Sequence, residues 1–565
     1  MTKNIYEKLS EERKQMQAEG VMPEWYTTGG WQMFKEKYLY QADNIKEQFE
    51  RIAATAAKHL RSVGKEEEAN EWFFKLLWDG WLSGSTPVLA NTGTDRGLPI
   101  SCSGSVIGDS IYEFYQARLE AAILTKYGVG TSAYFGNIRP RGALISTGGT
   151  ASGAVEVWSG FIDDMAKVKQ GSVRRGSFAA YFPITSKDFD EAADYTMAHT
   201  DDANIGWCVS NKFIDSLNAL NSESVRRFQK TQKLKLVMGK GYYSFPDKIN
   251  AKRPKMYVDH GLFVSASNLC DEITLFADLL HTFTCVLSSM NVSKWHEWKD
   301  TKAVYWSTIF LDCIVSEFLE RARKIPGLEK AVRFTEKGRA LGLGQCGYHT
   351  LLQEMGLPWH DMRAHTLSQQ IAKHIHDESL LASQDLAKWL GEPEWCKGYG
   401  VRNTHRTAIA PTKSTALLMG GVSEGINPDP AMVFNQGTSA GEVARITPVF
   451  LKVMKEAGHY NKATIKRILA KSGSVQGEDW LTPEQKEVFR TAFEINQLTV
   501  LSRASARGRY LCQWQSLNTF FSSDEDPAWI AHCHTVAFND PDILGLYYIT
   551  TQSGVMGSKE CEACQ

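Results

Sequence analysis

The sequence is informative first for what it has little of. Long apolar runs are missing: the most hydrophobic stretch, Val304 to Val315, is short and broken by Asp312, and the amino-terminal MTKNIYEKLSEERKQMQ is polar. A membrane span needs about 20 apolar residues and a secretory leader an apolar core, so neither is expected. Charge of one sign is missing too, since 63 Lys plus Arg meet 64 Asp plus Glu for a net charge of −1. Without a basic field, a nucleic-acid polymer is a poor candidate partner. Cysteine is scarce, 11 in 565 residues, too few for a disulfide scaffold. A cytoplasmic protein whose thiols are mostly buried hydrophobes is therefore expected. With 43% hydrophobic residues, 17 prolines and 45 glycines, the chain is neither disordered nor low in complexity.

What is present alternates. Residues Phe34 to Leu60 carry Tyr38, Ala42, Ile45, Phe49, Ile52, Ala53 and Ala56 at helical spacing, and Glu66 to Trp81 continues the signal. This predicts a helical layer over residues 1–82. From Ser83, short apolar and β-branched runs punctuated by Gly, Ser and Pro alternate with helical stretches such as Ile111 to Leu124 and Val304 to Arg323. That is the α/β pattern, and with no linker or repeat before Ser553, residues 83–553 are expected to form one large domain. Residues 554–565 are small and polar and read as a mobile tail.

Cys208, Cys313, Cys346, Cys396 and Cys512 stand singly in ordinary surroundings and are expected to be structural. Cys533 lies in His532-Cys533-His534, but adjacent residues on a helix or strand point in different directions, so no metal is expected there. The tail ends in Cys561-Glu-Ala-Cys564. Zinc would need two more ligands, which no second C-x-x-C or H-x-x-x-H supplies, so an exchangeable dithiol on a tether is favoured. In Ser267-Asn268-Leu269-Cys270-Asp271-Glu272-Ile273, an amide, a thiol and a carboxylate alternate, and an extended segment would aim all three the same way. The alternatives are a polar loop with a chance cysteine and a site joining a thiol, an amide and a general base. Cys285 sits in a strand-like run, Phe283 to Asn291. Pro411-Thr412-Lys413-Ser414-Thr415 suits either an ordinary capped helix or a phosphate site built from N–H groups and hydroxyls. For the adjacent Tyr547 and Tyr548 the ordinary role is core packing.

Taken together and in order, these motifs resemble the large, catalytic subunit of ribonucleotide reductase. Asn268-Leu-Cys270-x-Glu272 matches that family's finger-loop motif, Ser101-Cys102 and Cys285 its reducing pair, and Ala410 to Thr415 followed by Gly425-Ile426-Asn427-Pro428 its substrate-phosphate loop. Leu546-Tyr547-Tyr548 resembles its radical-pathway tyrosines, and Cys561/Cys564 its shuttle dithiol. The resemblance implies a ten-stranded α/β barrel of two parallel five-stranded halves, with Cys270 on a central finger loop and a helical N-terminal layer in front. It implies reduction of ribonucleoside diphosphates by a thiyl radical on Cys270, with Glu272 as general base, Asn268 holding the hydroxyls, and Cys102 and Cys285 ending as a disulfide. Their Cα atoms should then lie within about 7 Å of each other.

Further site residues follow from the same resemblance. Thr86, Ser101, the backbone at Gly130, Thr412, Lys413, Ser414 and Thr415 would hold substrate. Asp109, Ser110, Ile111 and Arg139 match the specificity-effector site, and Gln170 and Arg174, in Gln170-Gly-Ser-Val-Arg174-Arg175-Gly176, the loop that relays effector identity. Ser146 stands where some relatives carry an arginine. Tyr547 and Tyr548 would carry an oxidising equivalent inward, Tyr547 nearer Cys270, which implies a separate radical-generating small subunit holding the radical cofactor. No metal or cofactor bound tightly to this chain is implied, beyond a nucleoside triphosphate effector arriving with Mg²⁺. A homodimer and reduction by thioredoxin or glutaredoxin are expected. About eighty helical residues before the barrel leave no evident room for the family's nucleotide-binding cone, so dATP control through this chain is not expected. The rivals are a cobalamin-dependent reductase of the same fold and a nonradical thiol oxidoreductase.

Overall fold

Helical periodicity in the first eighty residues becomes a layer of packed helices. The computed structural model describes residues 5–170, 174–438 and 441–552. In the helix Ile45–Ala57, Ile45, Phe49, Ile52, Ala53 and Ala56 are buried on one face, and Asn44 caps its start by accepting from Glu47 N. The helix Glu66–Trp78 begins with three glutamates, which suit the positive end of its dipole. Its Phe73 ring meets Phe310 edge-on at 5.1 Å, which docks the layer onto the helix Ala303–Ala322. That helix is buried almost all round, so its sequence is nearly continuously apolar. Asp312, wholly buried within it, receives Arg339 at 2.8 Å and Arg402 at 3.0 Å.

Nine strands join in one curled sheet among the described residues. In chain order they are β1 (Leu82–Gly84), β2 (Cys102–Val106), β3 (Thr131–Tyr134), β4 (Phe178–Pro183), β5 (Asn204–Cys208), β6 (Tyr242–Ser244), β7 (Phe283–Asn291), β8 (Leu341–Cys346) and β9 (Gly545–Leu546). Strands β2 to β6 run parallel in sequence order, with helices in the crossovers. β7 is buried at every residue. It takes β2 and then β1 antiparallel along one edge and β8 parallel along the other, so it stitches two halves together.

Where ten strands were expected, the ring goes on through short runs joined by isolated bridges. Leu343 bridges to Thr407 and Ile409 to Gln515, both parallel; Tyr547 N then donates to Leu517 O, and β9 pairs antiparallel with β6. Backbone pairing continues beside these bridges, with Leu341 N donating to His405 O, Leu343 N to Arg406 O, Gln513 N to Thr407 O and Ile409 N to Trp514 O. Residues 262–282 contain no helix or strand and cross the interior of this ring. A smaller, separate core of Met432, Val433, Phe450, Met454, Ile468, Val475, Leu481, Val488 and Phe489 lies outside it. The sequence pattern did not distinguish that satellite from the main domain. No helix among the described residues is long and apolar enough to cross a membrane.

Candidate active site

The loop that crosses the ring is held from both sides. From the first half, Ser132 Oγ on β3 donates to Ser267 O at 2.9 Å and the Tyr181 hydroxyl on β4 donates to Asn268 O at 2.6 Å. From the second half, Trp514 N donates to Glu272 O at 2.9 Å and Thr274 N donates to Gln513 Oε1 at 3.1 Å. The segment is a turn, not the extended run that the alternating pattern implied. Asn268 Oδ1 accepts from Glu272 N and Ile273 N, both at 3.1 Å, and Asp271 sits at φ 60° in the left-handed region. Amide, thiol and carboxylate come together because the Asn268 side chain closes this turn, not because of a period of two.

The second amide atom of Asn268 serves the site. Its Nδ2 donates to Cys102 Sγ at 3.1 Å and to Glu272 Oε2 at 3.0 Å, and Cys102 Sγ lies 4.0 Å from Glu272 Oε1. Cys102 and Cys285 are register partners across the β2/β7 ladder, 183 positions apart in the chain. Antiparallel partners have Cα separations of about 4.5–5.5 Å, within disulfide range. Burial pushes the Glu272 carboxyl up to about 7, although hydrogen bonds from Asn268 and Ser516 pull the other way. Burial likewise raises the Cys285 thiol well above its ordinary range.

Two residues of this network had no signal in the sequence. Ser516 Oγ reaches both Cys270 O at 2.7 Å and Glu272 Oε2 at 3.2 Å. Gln513 Nε2 contacts Cys285 Sγ at 3.6 Å while donating to Leu341 O at 2.9 Å. Both belong to the bridging run after Cys512, whose Gln-x-Gln-Ser pattern carries no motif of its own. Their place beside the thiols depends on the ring closing.

A cavity opens over this cluster, lined by Cys270, Glu272, Cys102, Ser101, Ser85, Ser83, Leu287, Ser288, Ser289, Ala410, Pro411, Thr412 and Thr415. Of the residues matched to substrate binding, Ser101, Thr412 and Thr415 line it, whereas Thr86, Gly130, Lys413 and Ser414 do not. Thr86 instead pairs its hydroxyl with Tyr38 at 2.9 Å, and Gly130 N donates to Ser101 O, supporting the wall from behind. The serines of β7 and Ser85 were missed. The helix expected to begin at Pro411 begins at Lys413, after Thr412 at φ 56°. Thr412 Oγ1 accepts from Gly425 N at 2.7 Å, tying the loop to its Gly-Ile-Asn-Pro sequel.

Against the other side of the finger loop sits an aromatic group. Tyr547 and Tyr548 stack with ring centroids 3.9 Å apart, and Tyr242 on β6 touches both, at 5.0 and 5.7 Å. Tyr547 and Cys270 belong to one buried cluster with Tyr242, Tyr181 and Cys208, while Tyr548 is half-buried at its margin. Lys235, wholly buried, donates to Tyr547 O and, at 3.0 Å, to Gly241 O.

Comparison with known proteins fits this arrangement. The chain matches the profile "Ribonucleotide reductase, barrel domain" over residues 100–225, 221–396 and 389–549, and "Ribonucleotide reductase, all-alpha domain" over residues 24–97. The chain belongs to the ribonucleotide reductase large-subunit family. It is 30% identical over 539 residues, 89% of this chain and 94% of the other, to a Frog virus 3 protein named as a ribonucleoside-diphosphate reductase large subunit. It is 28% identical over 489 residues, 80% of this chain and 61% of the other, to the vitamin B12-dependent ribonucleoside-diphosphate reductase of Thermoplasma acidophilum. Among solved structures, the Actinobacillus ureae class Id ribonucleotide reductase alpha subunit superposes with a TM-score of 0.86 at 35% identity, covering 94% of this chain and 98% of that one. The chain is thus an oxidoreductase, a ribonucleoside-diphosphate reductase large subunit.

In this reductase the residues matched to the effector site gather at one end of the helix Ile111–Lys126. Arg139 Nε donates to Asp109 Oδ2 at 2.7 Å, and Ser110 caps the helix by accepting from Glu113 N. Ile111 is 70% exposed beside them. Gln170 is turned elsewhere: it is buried, and its Nε2 donates to Asn91 Oδ1 at 2.8 Å. Arg174 pairs with Gln170 through the backbone in a two-stranded ribbon. Residues 171–173 and the Cys561/Cys564 dithiol lie outside the described residues. Of the cysteines expected to be structural, Cys208, Cys313, Cys346 and Cys396 are buried thiols and Cys512 is half-buried. The His532-Cys533-His534 run splits as expected of a helix, with His534 on Gln232 Oε1 at 2.7 Å and His532 against Trp529.

Proposed function

We propose that this chain reduces ribonucleoside diphosphates to 2′-deoxyribonucleoside diphosphates by a thiyl radical on Cys270, generated by an oxidising equivalent from a separate small subunit. The observation that carries the reading is the convergence of Cys270, Glu272 and Cys102 on one cavity with Cys285 directly behind Cys102. In the proposed sequence the Cys270 radical takes the 3′-hydrogen while Glu272 accepts the 3′-hydroxyl proton. The 2′-hydroxyl leaves as water with a proton from the Cys102/Cys285 dithiol. The second dithiol hydrogen goes to C2′, Cys270 returns the 3′-hydrogen, and the pair closes as a disulfide. A carboxyl poised near 7 suits a base that must take up and release one proton per cycle. Asn268, bridging thiol and carboxylate, fixes their geometry.

The diphosphate would lie against Thr412, Thr415 and the backbone of their loop, with Lys413 adding a cation. The stack of Tyr548, Tyr547 and Tyr242 next to the Cys270 cluster supports radical delivery through Tyr548 and then Tyr547. Cys561/Cys564 would re-reduce the inner disulfide and be recharged by thioredoxin or glutaredoxin. Asp109, Ser110, Ile111 and Arg139, with Gln170 and Arg174 as relay, would read a nucleoside triphosphate carried with Mg²⁺. The helix beside them exposes Ile111, Tyr112, Tyr115 and Leu119, each 58–73% accessible on neighbouring turns, a stripe that suits a homodimer contact.

Similarity to a vitamin B12-dependent reductase supports a second reading, with the radical made by adenosylcobalamin. The deciding experiment is deoxycytidine diphosphate formation from CDP with a dithiol, an effector and either adenosylcobalamin or a candidate small subunit. Product only with the protein partner supports the first reading. Product with cobalamin alone overturns it in favour of the second.

A further inference from the structure

Two arginines of the helix Gln497–Gly508, Arg503 and Arg507, are enclosed together in the interior. Arg503 is 1% exposed and Arg507 fully buried, and a spacing of four puts them on one helix face. Their hydrogen-bond partners among the described residues are neutral. Arg503 Nη2 donates to Asp361 O at 3.2 Å, while Arg507 donates from Nε to Gln515 Oε1 at 2.6 Å and from Nη1 to Ser368 Oγ at 3.4 Å. The Asp361 carboxylate is turned to Arg363, at 2.6 Å. Asp361, Ala364 and Ser368 follow one face at the start of the helix Met362–Leu390, and the Tyr348 hydroxyl donates to Ala364 O at 2.5 Å, between the two guanidinium contacts. Trp359 closes the Arg503 end, with the guanidinium 5.1 Å over its ring and the Tyr348 ring 5.5 Å away. Arg503 Nε, Arg503 Nη1 and Arg507 Nη2 are buried donors with no hydrogen-bond partner among the described residues.

Two cations buried side by side are costly unless an anion supplies the counter-charge. Tyr348 does not supply it: burial raises its hydroxyl above the ordinary range against the pull of both guanidinium groups, so it stays a neutral donor. We propose that Arg503 and Arg507 form a buried anion site for a monovalent ion of halide size, with Arg503 Nε, Arg503 Nη1 and Arg507 Nη2 as its donors. Guanidinium N–H groups are strong donors to an anion. All three are closed off from solvent, which bars a phosphate carried on a nucleotide, whereas a single-atom ion can exchange through local fluctuation. The site braces the ring where it closes. Arg507 holds the Gln515 side chain, whose Nε2 donates to Ala504 O at 2.8 Å, and Gln515 bridges to Ile409. The next residue, Ser516, holds Cys270 O inside the ring. The site takes part in no step of the proposed reaction, so the inference stands whichever way the radical is made.

The test uses the full-length chain exchanged into sodium glutamate, whose anion is too large for the site. Replacing glutamate by chloride or bromide at constant ionic strength should raise the melting temperature along a saturable curve. The rise should reach about 2 °C at a hundredfold excess over the dissociation constant. Arg503→Lys and Arg507→Lys keep the charge but lose the guanidinium N–H groups, and each should at least halve that shift. Crystals of the unaltered chain soaked in bromide, measured at the bromine absorption edge, should show an anomalous peak within hydrogen-bond reach of Arg503 Nη1 and Arg507 Nη2. That peak supports the proposal even if the lysine variants do not fold, and it decides where the two measurements differ. Density without anomalous signal between the guanidinium groups means ordered water and overturns the proposal, as do bromide peaks confined to the protein surface.

Discussion

Cys102 lies directly across a β-ladder from Cys285, and one amide, Asn268 Nδ2, joins the first of these thiols to Glu272. The pair proposed to reduce the substrate thus sits in the seam between two strands, at residues 183 positions apart in sequence. Mixing this chain with CDP and its radical source without external dithiol should yield a burst limited by the thiols already present. Afterwards, Cys102 and Cys285 should be recovered as one disulfide-linked peptide pair. Cys285→Ser should lose turnover by at least about 10³-fold while still binding substrate.

The carboxyl of Glu272 titrates near 7 because burial outweighs its hydrogen bonds. A base must be ionised to act, so the rate should fall as pH drops below about 7, and Glu272→Gln should lose about 10²-fold or more. The stability effect has the opposite sign. A folded-state pKa raised above the unfolded value means the native state binds the proton more tightly, so Glu272 lowers stability as pH rises from about 4 to 7, by about 3 kcal/mol once fully ionised. Glu272→Gln should therefore melt higher than the unaltered chain at pH 8 and close to it at pH 4, as calorimetry at the two pH values would reveal.

Tyr547 and Tyr548 are stacked at 3.9 Å, so a phenylalanine at either position keeps the ring contact and removes only the hydroxyl. Tyr547→Phe should retain nucleotide affinity and keep the unfolding free energy within about 1.5 kcal/mol. It should abolish turnover that depends on a small subunit. Full activity in this variant would contradict delivery through the pair.

Asp312 is wholly buried between Arg339 and Arg402. Burial raises its carboxyl, but the two guanidinium groups outweigh this and hold it far below the usual carboxylate range. The depressed folded pKa contributes stability that is present above about pH 4 and is lost as pH falls further. Asp312→Ala leaves two buried cations without their partner and should cost about 3–5 kcal/mol, readable by denaturant unfolding at pH 7.

The sequence carried some of these features openly and concealed others. Helices such as Ile45–Ala57 and Ala303–Ala322 were legible because burial on one face, or on all, leaves a periodic trace. The three loop residues Asn268, Cys270 and Glu272 were legible as chemistry, but their alternation suits an extended segment, whereas a side-chain-closed turn with Asp271 at φ 60° brings them together. Ser516 and Gln513 were invisible because their roles arise from contacts with residues 228 to 246 positions away. Thr86, Lys413 and Ser414 are legible only through their motifs, while Ser85, Ser288 and Ser289, which line the pocket, become apparent only once the strands are assembled.

Gly545 marks the place where the tyrosine strand meets the finger loop. A Cβ there would lie 2.5 Å from Asp271 Oδ2 and 3.2 Å from Tyr243 O, so no side chain fits without pushing the two apart. The glycine acts as a gauge: it sets how closely the strand leading to Tyr547 can approach the loop bearing Cys270. Electron transfer between separated groups weakens exponentially with the gap, so under the proposed delivery through Tyr547 a single methyl at this position would slow transfer to Cys270 without touching either side chain.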